Sequence, residues 1–433
     1  MYKILCAVLA FIISFLSSVG LPVRKDETSN SDVLFTTKNI TVNGSAVINA
    51  VFDKESDVNT VEIMFDSSSE AQVVIKNGGN TVYSSTSFDA YRFCAFKTLK
   101  TDKLEITVNG YAKIKSISVS RKTADCAGFR VTSYFVSQYI NTPGSVNPDV
   151  FDVVTDAILF GCVTFDRSGN LVVDKALLEP SLANLRRAVG ERNVNVYINV
   201  LGPDADSGIP DWYDQMDNKA AKHSEAFKSG RLESSIVALL DEYGFDGIFF
   251  DYEYPIKNKY WNDFSRFIVK LNKLTDKKIG LAVASWDIGL SKAAVDCVDM
   301  LEVMQYDLFD EQGNHSSFTQ AVVGYEDCRD YFIPLEKADI GLPFYGRPVN
   351  RGALWYNYRD YVDLLGKSVD YADTAEGGFY FNSWQTVYDK TAYSISRGLG
   401  GMMVWHYSCD VYDVNSEYSL FGAMRDCLAD RVV

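Results

Sequence analysis

Eight short apolar segments, separated by longer amphipathic stretches, constrain the fold of this chain more than any other feature of its sequence. Each segment has the length of one β-strand, whereas stretches between them, such as 177–189, 232–243 and 261–274, carry apolar residues at helical spacing. Strands that alternate with helices are typical of parallel βα units, and eight units over about three hundred residues predict a closed (β/α)8 barrel. The predicted strands are residues 129–135, 157–163, 194–200, 247–252, 279–284, 300–306, 340–345 and 401–406.

The first 124 residues follow a different pattern. Residues 1–20 have the features of a signal peptide, with Lys3 ahead of an apolar run and small residues at 18–20. Residues 21–124 contain short strand-like runs divided by Asn, Gly, Ser and Asp, which predicts an all-β, sandwich-like accessory domain that could bind carbohydrate. Tyr83, Tyr91 and Phe93 fit either a sugar-stacking face or the domain core, and the core is preferred because aromatic side chains are usually buried.

Residues 125–433 are predicted to form the barrel. Residues 346–383, which are rich in Trp, Tyr and Phe, have the character of an insertion between its last two strands. Aromatic side chains at that position could form a wall for a substrate at the mouth of the barrel.

Charge and composition narrow the range of partners. The formal net charge is −15 and the sequence pI is near 4.8, so nucleic acid and anionic membrane surfaces are not expected as partners. Once the signal segment is removed, no remaining run is long and apolar enough to anchor the chain, and we expect a secreted, extracellular monomer. The three histidines lack metal-ligand spacing and no glycine-rich phosphate loop is present, so neither a metal nor a cofactor is expected.

The run Asp246-Gly-Ile-Phe-Phe-Asp251-Tyr-Glu253-Tyr-Pro255 carries the most informative chemistry. Alternate side chains of a strand share one face, so Phe249, Asp251 and Glu253 should point the same way. Both carboxylates lie toward the carboxyl end of the predicted strand, which is the end where barrel active sites lie. Two acids this close repel each other when both are ionised, which favours a shared proton and raises the pKa of one of them. A carboxylic acid that stays protonated at neutral pH is what protonation of a glycosidic oxygen requires.

This run resembles the Asp-x-x-Asp-x-Asp-x-Glu signature on the fourth strand of glycoside hydrolase family 18, the chitinases and their relatives. Three further segments resemble motifs of the same family in the same order, and the resemblance covers most of residues 128–427. They are Met304-Gln-Tyr306-Asp307 on the sixth strand, Gly341-Leu-Pro-Phe-Tyr345-Gly-Arg347 on the seventh, and Gly400-Gly-Met-Met-Val-Trp405 on the eighth.

The resemblance implies a substrate-assisted mechanism in which the N-acetyl oxygen of the sugar attacks its own anomeric carbon. It implies Glu253 as general acid and then base, and Asp251 as the residue that orients the acetamido group. Tyr306 would hydrogen-bond that group and Trp405 would stack beneath the sugar. The other residues that we expect to bind substrate are Asp307, Tyr345, Arg347 and Tyr134.

The sequence departs from the family pattern at three places. Phe249 replaces the second Asp of the signature, so Asp251 should lose an inner hydrogen-bonding partner and lean toward Glu253. The third-strand pattern Ser-x-Gly-Gly reads Asn199-Val-Leu-Gly202, with one glycine where two are expected. Tyr252 stands where many members have Trp.

Three functions therefore remain open. The preferred one is a hydrolase of β-1,4-linked N-acetylglucosamine polymers, either chitin or chito-oligosaccharides. A non-catalytic lectin that binds amino sugars is the main alternative, which Phe249 favours and the retained Glu253 disfavours. An endo-β-N-acetylglucosaminidase acting on N-glycans would share the fold and the mechanism.

Overall fold

A closed barrel of eight parallel strands forms the centre of the computed structural model, which describes residues 33–124 and 128–431. The expected signal segment, 1–20, lies outside these residues. Each predicted barrel strand overlaps one observed strand, so the predicted barrel is confirmed. In the order in which they pair around the barrel, the strands are β5 (Arg130–Val136), β6 (Asp156–Phe160), β9 (Asn195–Val200), β10 (Gly247–Asp251), β11 (Lys278–Val283), β12 (Met300–Val303), β13 (Ala338–Pro343) and β18 (Gly401–Trp405).

Helices connect the strands and cover the outside of the barrel. The three stretches predicted to be helical overlap the observed helices Lys175–Val189, Leu232–Tyr243 and Asn258–Leu271. The helices in the described part of the chain are α1 (Ser137–Ile140), α2 (Lys175–Val189), α3 (Trp212–Lys228), α4 (Leu232–Tyr243), α5 (Asn258–Leu271), α6 (Lys292–Cys297), α7 (Phe318–Asp330), α8 (Val362–Leu365), α9 (Trp384–Ser396) and α10 (Leu420–Arg431). None of them combines the length and apolar character that a membrane crossing needs.

Strand β10 shows how the barrel sorts its side chains. Ile248 and Phe250 join the hydrophobic layer between strands and helices, while Phe249 belongs to a separate cluster inside the barrel. Because alternate residues point to opposite sides, Asp251 also faces inward. Phe249 fits there because its neighbour on β11 is Gly280, where an added Cβ would lie 2.2 Å from the Phe249 ring. The large aromatic side chain and the glycine therefore depend on each other.

Two small antiparallel sheets lie on the loops that follow barrel strands. A hairpin of β7 (Val163–Phe165) and β8 (Leu171–Val173) follows β6. A four-stranded sheet lies between β13 and β18, with the order β15-β14-β17-β16. Its strands are β14 (Tyr345–Pro348), β15 (Tyr356–Asn357), β16 (Tyr371–Thr374) and β17 (Gly377–Tyr380).

The N-terminal part is all-β, as predicted. It is one antiparallel sheet of order β1-β4-β2-β3, in which β1 and β4 are long strands that pair with each other through several register shifts. The strands are β1 (Val33–Phe65), β2 (Ala71–Asn77), β3 (Asn80–Ser87) and β4 (Tyr91–Ser120).

The aromatic residues of this sheet are used for packing. Tyr83 and Phe93 are 6% and 2% exposed, so both are buried as predicted, Tyr83 in the core of the sheet and Phe93 in the hydrophobic core of the barrel. The Tyr83 hydroxyl donates to Asp389 of α9 at 2.8 Å, and the Phe93 ring stacks on Phe318 of α7. Tyr91 is half-buried and donates to Glu62 of β1. These side chains lie where the sheet meets the barrel, so they do not form an open sugar-stacking face.

Polar contacts fix the sheet against the barrel helices. The fully buried guanidinium of Arg431, at the end of α10, donates to the backbone carbonyls of Asn59, Phe96 and Lys122. Asp430 beside it accepts from the backbone N–H of Thr98 at 2.9 Å. Charge-assisted hydrogen bonds of this kind are stronger than neutral ones, and their loss would leave buried carbonyls without a donor.

We therefore predict that Arg431→Met lowers the free energy of unfolding by about 2 to 3 kcal/mol. Denaturant unfolding measures this change, and Arg425→Met on the exposed side of the same helix is the matched control, for which we expect a change within about 0.5 kcal/mol. Equal effects of the two substitutions would contradict the role given to Arg431.

Candidate active site

Asp251 and Glu253 lie at the carboxyl end of β10, at the mouth of the barrel. The Oδ1 atom of Asp251 is buried and has no hydrogen-bond partner among the described residues. Burial raises the pKa of Asp251 well above its usual value, and the charge of Glu253 raises it further. Burial also raises the pKa of Glu253. Both shifts favour a pair that keeps a proton at neutral pH, which is the charge state that a proton donor needs.

Lys219 of α3 supplies a positive charge to this pair. Its ammonium lowers the pKa of both Asp251 and Glu253, against the larger effect of burial. Lys219 belongs to a helix between β9 and β10 and is part of no motif, so it could not be selected from the sequence.

Asp307 is the third acid at the mouth, and its side chain is held from several sides. The guanidinium of Arg347 donates to both of its oxygens, at 2.7 and 2.6 Å, and the Tyr345 hydroxyl donates to Oδ1 at 2.8 Å. Burial opposes ionisation, but the contacts with His315 and Arg347 hold the pKa of Asp307 well below its usual value. Its permanent negative charge raises the pKa of Glu253. Tyr345 and Arg347, both expected to bind substrate, thus contact Asp307 directly.

The backbone of Asp307 is also fixed, in the left-handed region with φ of 56°. Its N–H contacts Nε2 of the buried His315 at 2.9 Å. The loop that carries His315 is anchored by the buried Lys390 of α9, which donates to the carbonyl of Ser316 at 2.6 Å. Burial lowers the pKa of Lys390 to about 7. Neither His315 nor Lys390 was predicted as part of the site.

Tyr306, Trp405 and Tyr134 complete the floor of the mouth. The Trp405 ring lies edge-on to Tyr134, with centroids 5.1 Å apart, and Tyr306 donates to the Met403 sulfur at 3.9 Å. Strand β12 ends at Val303, three residues before the predicted end, so Tyr306 and Asp307 lie on the loop that follows it. Tyr134 is buried and donates to Glu302, so it lies beneath the mouth.

A group of aromatic side chains beside Glu253 was missed by the sequence interpretation. Tyr254 lies 4.9 Å from the ring of Trp286 and 6.1 Å from the ring of Trp212, measured between centroids. Trp286 is 43% exposed and offers an open aromatic face. Trp212 is the first residue of α3, whereas Tyr254 and Trp286 lie on the loops after β10 and β11, so these residues become neighbours only when the barrel closes.

A cavity of about 370 Å³ lies beside His406, the residue that follows Trp405. It is lined by residues including Tyr139, His406 and Tyr412, and the Tyr139 ring stacks on the His406 ring at 5.5 Å. Trp355, from the insertion, contacts Tyr345 and His406 through ring centroid distances of 4.8 and 5.8 Å. Trp355 and His406 therefore connect this cavity to Tyr345, which contacts Asp307.

A (β/α)8 barrel with buried acids and exposed aromatic side chains at its mouth is the architecture of a barrel glycosidase. The chain belongs to family 18 of the glycosyl hydrolases, since the model of that family matches residues 78–410.

Chitinases and a chitinase-like protein show modest similarity to the chain. Chitinase A1 of Niallia circulans is 25% identical over 255 residues, which cover 41% of this chain and 36% of that protein. The chain thus spans about a third of the length of this relative. The chitinase ChiB of Flavobacterium johnsoniae has the same fold, with a TM-score of 0.56, 24% identity, and coverage of 72% of this chain and 95% of that one. A chitinase-like agglutinin of Robinia pseudoacacia also shares the fold, with a TM-score of 0.52, 19% identity, and coverage of 68% and 98%.

The charges around Glu253 predict two opposite shifts of its pKa. Lys219→Met should raise the pKa, because a nearby positive charge is removed, and Asp307→Asn should lower it, because a negative charge is removed. Titration of carbon-13-labelled glutamate carboxyls by NMR measures both. Lys222→Met, one turn along the same helix and paired with Asp206, is the control for which we expect no shift. Shifts of the same sign in the two variants would contradict this electrostatic arrangement.

Proposed function

We propose that this chain is a secreted enzyme that hydrolyses β-1,4-linked N-acetylglucosamine polymers, chitin or chito-oligosaccharides, with retention of configuration. The proposal rests chiefly on the Asp251–Glu253 pair, two neighbouring carboxyls with raised pKa values at the carboxyl end of a barrel strand. Its amino-sugar specificity rests on family membership and on the chitinases to which the chain is similar.

In the proposed mechanism the protein supplies no nucleophile. Glu253 gives its proton to the oxygen of the glycosidic bond as that bond breaks, and the acetamido oxygen of the same sugar bonds to the anomeric carbon. Asp251 accepts the acetamido N–H and balances the positive charge that develops on the ring formed. Glu253, now a carboxylate, takes a proton from the water that opens this ring, which restores the acid and leaves the original configuration.

The remaining site residues orient the sugar in this proposal. Tyr306 donates to the acetamido oxygen, and the indole of Trp405 stacks beneath the sugar at the cleavage point. Asp307, held by Arg347 and Tyr345, accepts a sugar hydroxyl and keeps the pKa of Glu253 high. The aromatic group of Trp212, Tyr254 and Trp286 contacts the sugars on the leaving-group side.

Glu253→Gln should lower kcat by about 100- to 10,000-fold, because the amide can neither give nor accept the proton that the reaction moves. Chromogenic chito-oligosaccharides, assayed over a series of pH values, measure the change. Glu242→Gln, which alters an exposed acid on α4, is the matched control and should leave kcat unchanged. Turnover that survives in Glu253→Gln would refute the assignment of the acid.

The same assay separates the alternative functions. The lectin is favoured by Phe249, which leaves the buried amide of Asn199 beside it without a partner among the described residues. Saturable binding of oligosaccharide by the parent protein without turnover would identify a lectin. Turnover restricted to the chitobiose core of N-glycans would identify an endo-β-N-acetylglucosaminidase.

Trp286→Ala should raise KM for long chito-oligosaccharides roughly 2- to 10-fold, because the substrate loses one aromatic contact. The effect on kcat should be small, since Trp286 does not contact the reacting atoms in this proposal. Tyr111→Ala, which removes an exposed ring from the N-terminal sheet, is the control. An unchanged KM for the longest oligosaccharide tested would exclude Trp286 from the substrate path.

A further inference from the structure

Glu302 is a buried acid that the proposed mechanism does not use. It lies on β12, faces the barrel interior and is inaccessible to solvent. The Tyr134 hydroxyl donates to its Oε2 atom at 2.5 Å, whereas Oε1 is buried without a partner among the described residues. Burial raises the pKa of Glu302 well above its usual value, which favours the neutral carboxyl.

The charged groups near Glu302 are satisfied by other partners. Asp339 of β13 accepts from Arg130 at 2.6 and 3.1 Å. Asp156 of β6 accepts from Tyr197 and Asn195, each at 2.8 Å. Asp339 and Asp156 raise the pKa of Glu302, whereas Tyr134 and Arg130 lower it. Among the described residues no cation pairs with Glu302, so its carboxyl is held in the protonated form and not in an ion pair.

The register of the barrel places Glu302 level with Asp251. Asp251 pairs with Ala282 of β11, and Ala282 pairs with Glu302 of β12. Two strand spacings separate the acids by about 10 Å at the backbone, and both side chains reach inward over the short side chain of Ala282. Tyr134 belongs to the same cluster inside the barrel as Phe249 and Ala282, the neighbours of Asp251 on β10 and β11. Burial raises the pKa of Tyr134, and the charges of Glu302 and Asp251 raise it further.

The position beneath Asp251 on its own strand offers no alternative partner. Phe249 fills it with an apolar ring, packed against the Tyr197 ring with centroids 5.1 Å apart. An inner hydrogen-bonding partner for Asp251 must therefore come from another strand, and Glu302 is an acid at the matching level.

We propose that Glu302 is a positioning residue that acts on Asp251 through the Tyr134 hydroxyl, in place of an acid at position 249. While Asp251 is protonated, Tyr134 donates to Glu302, as observed. When substrate binds, Asp251 passes its proton to Glu253 and becomes the anion, neutral Glu302 donates to the Tyr134 oxygen, and Tyr134 donates to Asp251 directly or through one water. Glu302 and Tyr134 each keep their own proton while the hydroxyl reverses its direction, and the Asp251 anion gains a donor.

Two substitutions at this position should differ in a way that a structural role would not produce. Glu302→Met removes the donor, so kcat should fall about 10- to 100-fold with KM little changed. Glu302→Gln keeps a neutral donor that cannot ionise, so it should retain the parent kcat at acid pH and stay active to higher pH than the parent. Tyr134→Phe should match Glu302→Met, and the double variant should lose no more than either single one.

Met300→Leu, which changes packing on the same inward face of β12, is the control and should leave the pH profile unchanged. A parent-like kcat in Glu302→Met, or additive losses in the double variant, would overturn the inference and leave the proposed function intact.

The catalytic part of this inference rests on the proposed function, so a second measurement is independent of turnover. Infrared spectra of the parent should contain the carbonyl band of a buried protonated carboxyl that Glu302→Gln removes. Asp251→Asn should displace this band if Tyr134 links the two residues. A band that Asp251→Asn leaves in place would overturn the inference even if the parent hydrolyses no oligosaccharide.

Discussion

Burial of two carboxyls at the end of one barrel strand is the constraint on which the site depends. The alternation of side chains along β10 sends Ile248 and Phe250 to the helices and Asp251 to the interior. Closure of the barrel then removes the interior from water, which favours the protonated form of both acids. The raised pKa values of Asp251 and Glu253 thus follow from the fold.

Fixed charges around Asp251 and Glu253 modify the effect of burial on their pKa values. Asp307 can remain ionised beside Glu253 because Arg347 and Tyr345 hold its carboxylate and His315 holds its backbone. The Lys219 ammonium has the opposite effect and lowers the pKa of both Asp251 and Glu253. The three acids at the mouth therefore differ in environment: Asp251 and Glu253 retain protons more strongly, whereas Asp307 stays charged. Different charge states for neighbouring acids are the usual basis for a division of catalytic roles.

The sequence predicted most of the fold, because the spacing of apolar residues in strands and in helices is a local property of the chain. All eight barrel strands and the segments α2, α4 and α5 were located from apolar spacing. The end of β12 was placed too late, since an apolar run does not reveal where the backbone turns at Asp307. Residues within motifs, such as Glu253, were found. Lys219, Trp286 and Glu302 were not, because their relation to the acids depends on which strands and loops become neighbours when the barrel closes.

The anomeric form of the first product tests the central account most directly. Proton NMR of a chito-oligosaccharide, recorded soon after the purified protein is added and before the sugar ring equilibrates, distinguishes the two anomers. If Asp251 orients the acetamido group for attack and Glu253 serves first as acid and then as base, the first product is the β-anomer. An initial excess of the α-anomer would show direct attack by water, and would contradict the roles given to both carboxyls.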